Sequence, residues 1–451
     1  MKTRNTRTLF RILVTLVTLS MLVVSCAPAA TQEAASSSAA ETGQETASTP
    51  AAEVSQGEAG SGEISVLYLD DPTFWSEQAQ RFTEASGIKV NWEGVPFLQL
   101  HDKMLTALAT GDSPWDAIHV RDDYVAEFAS RGFLLPLDDL ITPEMKAQSP
   151  EQAWENLSWD GHIYGIPRYF WVWQFYYNTD ILSSAGITEV PTTWDEVAQA
   201  AEAITADTNG DGEIDRWGYC EPWGENFASY PFLIHLRAAG GDVFDADGNP
   251  IFNSEAGVKA LTWMVEYAKT DNYCPSAFEL MQTGSVSELF AQGNIGMIAS
   301  TTQTFRLASD PETSRVVGKV NAALLPGDAV KSATFSETGA LGIPATAKNP
   351  ELALEYIKFV TSVEEEKNMA LTISSIPAVT EALDDPEVQA QYPHFQYIGE
   401  QMEYPFGMIK HPNSAEVNAA IARNVILALH GDVTPQEALD QAYQEVMAIG
   451  Q

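Results

Sequence analysis

The sequence predicts an α/β fold, with a mostly parallel sheet covered by helices on both faces, and three observations carry that expectation. Apolar, β-branched runs alternate with amphipathic stretches of helical period between Glu63 and Val120, the pattern of successive strand–helix–strand units. Nearly four hundred residues rich in apolar and aromatic side chains follow a polar leader segment, enough for two lobes where a single core would be unusually large. No internal repeat and no second low-complexity stretch interrupts them.

The chain opens on Lys2, Arg4, Arg7 and Arg11, an apolar run from Ile12 to Val24, and then Ser25-Cys26. That order is a basic region, a hydrophobic region and a small-residue cleavage site, so residues 1–25 are expected to be an export signal. The run is broken by Thr15, Thr18 and Ser20 and falls short of the roughly 20 apolar residues of a membrane span. A cysteine directly after Val23-Val24-Ser25 resembles the bacterial lipobox, which implies that Cys26 becomes a lipidated N-terminus; an ordinary secreted protein with an incidental cysteine is the alternative. Residues 26–62 are Ala, Ser, Thr, Glu, Gln and Gly with almost no large apolar side chain, so they cannot bury a core and are expected to be a tether.

Glu63 to Tyr68 has the composition of a strand, and the next helix places Trp75, Ala79 and Phe82 on one face before Gly87 ends it. Ile88 to Trp92 is a second strand, a helix spans about Leu98 to Leu108, and after Gly111 and Pro114 comes a strand from Asp116 to Val120. Capping signals open later helices: Thr193 with Glu196, Ser362 with Glu365, Asn349-Pro350, and Thr434 with Pro435 and Glu437.

A formal charge of −38 makes nucleic acid an improbable partner, because phosphate binding needs clustered Lys and Arg. Besides Cys26 there are only Cys220 and Cys274, and an exported setting permits them to pair or to remain free thiols.

Several segments in order then resemble one family. ALATGDSPWDAIHV (Ala107 to Val120) and RGFLLPLDDLI come first. They are followed by Gly161-x-x-Tyr164-Gly165-x-Pro167 running on to Tyr176-Tyr177-Asn178, and by Gly186, Pro191, Thr193-Trp194 and Glu196 at a helix entry. Phe290-x-x-Gly293-x-x-x-Met297 and SETGALGIPATAKNPELALEYIKFV complete the series. The chain resembles the extracellular solute-binding proteins of ABC importers, in the carbohydrate-binding, maltose-binding-protein-like branch. The resemblance implies a two-lobed periplasmic-binding-protein-like fold with discontinuous lobes around a hinged cleft. It places residues 63–170 and 339–384 in the N-lobe and 171–338 and 385–451 in the C-lobe, with crossings near Pro167 to Trp173, Phe335 to Gly342 and Asp384 to Tyr392. It also implies a monomer outside the cytoplasmic membrane that takes up a small polar solute, a mono- or oligosaccharide first, and hands it to permease subunits. A polyol, a glycerol phosphodiester or an amino compound stays open as cargo.

A sugar site needs aromatic platforms and side chains that both donate and accept hydrogen bonds. Trp171 and Trp173, alternate residues of the first crossing, either face the ligand together or fill the core between the lobes. Trp223 and Glu225 lie on a loop between a strand and a helix, where open α/β sheets place ligands; Trp223 could instead pack on Tyr230 and Phe232. Arg121, Asp122 and Asp123 follow one strand and Asp70 and Asp71 another, at the edge where cleft residues are expected, though such charges also cap helices. By analogy with the family, Ser300, Thr301 and Thr302 and the run Ser336, Glu337, Thr338 and Gly339 touch ligand; as small polar residues they are also ordinary turn formers. Arg121 with Arg168 is a thin basic cluster for a phosphorylated cargo.

No cofactor is expected apart from a structural calcium ion. DTNGDGEID spaces Asp207, Asn209, Asp211, Gly212, Glu213 and Asp215 as in a calcium loop, but position twelve is Gly218 instead of Glu, and an Asx-rich surface turn is the competing account. An exported glycoside hydrolase, which needs a carboxylate pair about the scissile bond, and a structural surface lipoprotein are the competing functions. No Gly-x-Ser-x-Gly, His-Glu-x-x-His or phosphate-binding glycine loop is present.

Overall fold

The alternating apolar runs form eleven strands, which a computed structural model describes over residues 62–69, 72–224, 228–270, 272, 283–404 and 407–449. The proposed signal, Cys26, the tether up to residue 61, Asp70, Asp71, Glu225 and Cys274 lie outside the described residues.

The strands are β1 (Glu63–Leu69), β2 (Lys89–Val95), β3 (Ala117–Arg121), β4 (Ser158–Trp159), β5 (His162–Ile163), β6 (Ile166–Asn178), β7 (Trp217–Cys220), β8 (Ile295–Thr301), β9 (Val320–Ala323), β10 (Ser336–Gly342) and β11 (Ile376–Pro377). One sheet runs β2-β1-β3-β10-β6-β8-β7, with β9 and β11 also pairing to β6. At its two ends the neighbours are parallel: β1 with β2 and β3, and β7 with β8. In its middle β10 is antiparallel to β3 and β6, and β6 to β8, β9 and β11. The expectation of a mostly parallel sheet is therefore corrected. Crossover helices such as Pro72–Ser86 and Phe97–Leu108 enforce parallel pairing, whereas β6 and β10 pass between lobes in opposite directions.

Side-chain alternation sorts the strands onto their cores. Ile64, Val66 and Tyr68 of β1 enter one N-lobe core with Phe82 of the first helix, while Leu67 enters the other with Leu100, Met104 and Phe128. The edge strand β2 alternates exposed and half-buried residues and carries Lys89 and Glu93, a charged edge that discourages pairing with another chain. Gly87, at φ 75°, ends the first helix as expected.

The long strand β6 links the lobes. Its Ile166 and Tyr169 belong to an N-lobe core, and its Trp173, Phe175 and Tyr176 belong to the C-lobe core. Phe335, just before β10, lies in the same core as Trp173, and Ala340 and Leu341 of β10 lie in the two cores that β1 enters. A smaller core joins Phe170 and Val172 of β6 to Ile376, Val388, Tyr392 and Phe395. The helices Ser414–His430 and Pro435–Ile449 then pack on each other and into the C-lobe core through Ile421, Val425, Leu439 and Val446.

The caps follow the sequence signals. Thr193 and Glu196 close a reciprocal capping box, Thr434 and Glu437 exchange the same two bonds, and the Ser362 side chain accepts from Glu365 N–H. At Asn349-Pro350 the proline occupies the first turn, but Asn349 makes no cap bond, its backbone N–H donating to Asp116 Oδ1 at 2.7 Å. Gly218 sits where β7 meets the helix Trp194–Ile204: a Cβ there would lie 2.1 Å from Ala201 Cα, so only glycine fits. Cys220 is fully buried and disulfide-bonded.

Candidate functional site

The two lobes meet around a cavity of about 700 Å³, within the range of small-molecule sites. The N-lobe contributes Phe97, His101, Arg121, Asp123 and Tyr124; the C-lobe contributes Tyr230, Phe335, Met408 and one face of the helix Ser414–His430. That helix presents Ala415, Asn418, Ala419 and Ala422, a low wall of small side chains at helical spacing.

The floor is built where β3 runs into the helix Asp122–Ser130. Arg121 is extended at the helix N-cap, and Asp122 and Asp123 occupy the first turn, where the helix dipole favours acids. Arg121 is only 4% exposed. Its Nε and Nη2 donate to the two oxygens of Asp123 at 2.9 and 2.8 Å, and its Nη1 lies 3.3 Å from Glu337 Oε2. Nη2 also donates to Met408 Sδ at 3.3 Å, Arg121 and Tyr230 share a hydrogen bond, and the rings of Phe97 and Tyr124 lie 4.9 Å from the guanidinium. Behind it, Tyr169 Oη donates to Glu337 Oε1 at 2.7 Å and meets His119 Nε2 at 2.9 Å.

These acids differ from free carboxylates. Burial, then the charges of Asp123 and Glu337, pushes the Asp122 carboxyl up to about 8, so it is largely protonated at neutral pH. Burial also holds Glu337 above its ordinary value and outweighs the attraction of Arg121. Burial opposes the charged form of His101, yet hydrogen bonds to Glu127 and Asp102 outweigh it and raise that pKa.

Contacts across the cleft hold the lobes together at this edge. Met408 N–H donates to Asp122 Oδ2 at 3.3 Å, Ser414 Oγ donates to the Asp123 carbonyl at 2.7 Å, and Arg237 Nη1 ties Gly407 back to the C-lobe at 2.6 Å.

The residues singled out in the sequence do not all reach the cavity. Arg121 and Asp123 line the cavity, and Asp122 lies directly beneath, its Oδ1 also accepting from Thr338 N–H at 3.4 Å. Trp171 is half-buried and touches both lobes' cores, its ring edge-to-face with Phe335 at 6.1 Å. Ser336, Glu337 and Thr338 are buried in β10, Thr338 Oγ1 accepting from Asn156 Nδ2 at 3.0 Å. Ser300, Thr301 and Thr302 are buried at the end of β8, and Ser300 Oγ lies 3.5 Å from Ser287 Oγ. Three buried polar atoms on strands of the crossing, Trp173 Nε1, Thr301 Oγ1 and Ser336 Oγ, have no protein partner; Thr301 is directly opposite Trp173 in the sheet and Ser336 opposite Val172.

Trp173 does not line the cavity; it is fully buried in the C-lobe core, in the same cluster as Phe232, Phe290 and Phe335. Trp223 is not an exposed loop residue. It is fully buried, and its Nε1 donates at 2.7 Å to Glu221, a buried carboxylate also bonded to His235 and Tyr219. Gly339 serves packing, since a Cβ there would fall 2.1 Å from the Tyr169 ring. Arg168 forms no basic cluster with Arg121: it is buried between Tyr68 and Trp75, 4.8 and 4.5 Å from their rings.

The calcium expectation is also corrected. The Asp207 oxygens accept from the N–H groups of Gly210 and Gly212, Asn209 from Asp211, Asp211 from Glu213, and Asp215 from Thr208, so the loop is closed by its own amides. No group of three or more metal-capable side chains occurs among the described residues.

Sequence reasoning missed Phe97, Tyr124, Phe335, Met408 and the helix Ser414–His430, and considered Tyr230 only as packing. A usable signal was the small-residue face of that helix, with Asn418 among the alanines.

Residues 68–367 match the family model described as bacterial extracellular solute-binding protein. The chain is 26% identical over 365 residues to a probable amino-acid ABC transporter periplasmic-binding protein of Sinorhizobium fredii, covering 76% of this chain and 80% of that one. It is 22% identical to the maltotriose-binding protein of Pyrococcus abyssi, over 86% and 83% of the two chains. A solved ABC transporter solute-binding protein of Thermotoga lettingae, bound with α-D-tagatose, superposes with a TM-score of 0.75 at 26% identity, over 86% of this chain and 99% of that one.

Proposed function

Because the chain belongs to the bacterial extracellular solute-binding protein family, we propose that it captures a mono- or oligosaccharide in the cavity between its lobes and delivers it to the permease subunits of an ABC importer. The observation that carries this reading is the cavity of about 700 Å³ that both lobes line. Its aromatic walls, Phe97, Tyr124, Tyr230 and Phe335, suit the C–H faces of sugar rings, and Asp123, Asn418 and Ser414 suit their hydroxyls. Maltotriose and tagatose, the ligands named for two similar proteins, belong to the same polyhydroxyl class.

In this reading Arg121 and Asp123 on the cavity wall, with Asp122 beside them, are joined as solute contacts by Trp171, Ser300, Thr301, Ser336 and Thr338 of the crossing, where Thr301 Oγ1 and Ser336 Oγ have no protein partner. Asp70, Asp71 and Glu225 are retained as contacts. The lobes divide at about residues 170, 338 and 384, and opening about these crossings admits the solute. The protein works outside the cytoplasmic membrane as a monomer, with Cys26 lipidated and residues 26–62 as tether. Among the described residues no helix is long and apolar enough to cross a membrane.

Differential scanning fluorimetry against sugars, polyols, amino acids and phosphodiesters tests the cargo. A binder at a hundred times its Kd stabilises the native state by about 2.7 kcal/mol, an upward Tm shift of several degrees. The expected result is a selective shift with one sugar class, the sugar being recovered unchanged. A shift with amino acids alone, or hydrolysis of labelled oligosaccharide, contradicts the reading.

A further inference from the structure

Every cationic side chain on the cavity wall, among the described residues, already holds a carboxylate. Arg423 is paired with Glu445, and His101 lies 2.7 Å from Glu127 and 3.3 Å from Asp102. Arg121 is the most completely occupied. Its bidentate edge is filled by both oxygens of Asp123, its Nη1 faces Glu337, and its remaining capacity is taken up by Met408 Sδ and Tyr230. A guanidinium has five N–H donors in a fixed fork, and the Nε–Nη2 edge is the one that recognises a carboxylate or phosphate two bonds at a time. Here a protein carboxylate occupies that edge, and Asp102 and Asp123 face the cavity as well. An anionic solute would meet carboxylates and no unoccupied cation.

We propose that Asp123 is a specificity-determining residue: by masking Arg121 it restricts the cavity to uncharged solutes and turns away their acid and phosphate forms. The proposal rests on the solute-binding reading above and deepens it, since it separates neutral sugars and polyols from glycerol phosphodiesters and sugar acids. Asp123 holds this position because it lies in the first turn of the helix that starts at Asp122, two residues after the residue it masks. Neutralising Asp123 removes the carboxylate from the Nε–Nη2 edge of Arg121 and leaves the Glu337 ion pair on Nη1, with Met408 Sδ and Tyr230 as neutral partners.

The test titrates matched neutral and acidic solutes (glucose and glucuronate, mannitol and gluconate, maltose and maltobionate) against the wild-type protein and Asp123→Asn at low salt, by calorimetry. The acids are expected to bind Asp123→Asn at least about tenfold more tightly than wild type, with the gain falling as salt rises. Asp123→Ser, which removes the carboxylate with a smaller side chain, is read in the same way should the Asn variant fold poorly. Acid affinity that does not rise in either variant overturns the proposal, as does a wild type that binds acids as tightly as their neutral partners. The neutral solutes report separately on the function: if neither protein binds any of them, the sugar reading fails, while the change in acid affinity still decides the role of Asp123.

Discussion

Arg121→Met lowers the unfolding free energy by about 3–5 kcal/mol at pH 7, as expected when one partner of a buried ion pair is removed. Methionine approximates the aliphatic stem and can still pack against Phe97 and Tyr124, so the loss reports on the carboxylates left behind. Asp122 and Glu337 are almost wholly buried, and each depends on Arg121 to favour its ionised form. Without the guanidinium their folded-state pKa values rise further. A carboxyl whose folded pKa is raised stabilises the fold below that pKa and loses the contribution as pH climbs through it. The cost of Arg121→Met therefore grows as pH climbs through the raised folded pKa of Glu337, and the Asp122 part is added only above about pH 8. Urea unfolding at several pH values checks this; a loss below about 1 kcal/mol at pH 7, or a cost that shrinks with pH, contradicts the account.

The second large effect is acid sensitivity from one histidine. His394 is 2% exposed, its ring 4.1 Å from that of Phe305 and within contact of Tyr176, Tyr392 and Phe395, and neither ring nitrogen has a partner. Burial pushes its pKa down to about 3. The unfolded chain then binds a proton that the folded chain refuses, so stability falls as pH drops below about 6.5, at about 1.4 kcal/mol per unit until pH approaches 3. Asp122, Glu337 and Glu366, whose values are raised, act in the opposite direction, so the wild-type curve alone is a sum. The difference between wild type and His394→Leu isolates the histidine. Relative to wild type the variant gains about 3–5 kcal/mol between pH 7 and pH 3.5. A difference constant across that range would show that His394 takes up its proton without unfolding.

Much of this could be read from the sequence because the signals were local. Thr193 with Glu196 and Thr434 with Glu437 form the caps their spacing implies, and strand–helix alternation recovers β1 to β3 within a few residues. What was hidden depends on contacts distant in sequence. The antiparallel centre of the sheet comes from β10 pairing with β6 across more than 160 positions, which no periodicity records. Strand alternation put Trp171 and Trp173 on one face, but packing from elements distant in sequence decides how deep each is: Trp173 is enclosed in the C-lobe core, while Trp171 is half-buried and packs against the cores of both lobes. Arg121 and Asp123 were legible because strand C-terminal edges collect ligands in α/β sheets; that each neutralises the other was not, since side-chain pairing depends on how the helix turns. The helix Ser414–His430 escaped notice because an alanine-rich face resembles ordinary helix surface until the opposite lobe is brought against it.

The central claim is that the cavity between the lobes is where the solute is held. Ala419 is exposed on the cavity wall and away from either core, so Ala419→Trp fills the space without repacking the fold. Titration calorimetry of the sugar that stabilises the wild type, repeated on Ala419→Trp, tests the claim most directly. The account predicts one solute per wild-type chain and an affinity at least about a hundredfold lower in the variant, with the unliganded Tm unchanged. Equal affinity in the two proteins would place the solute elsewhere and contradict it.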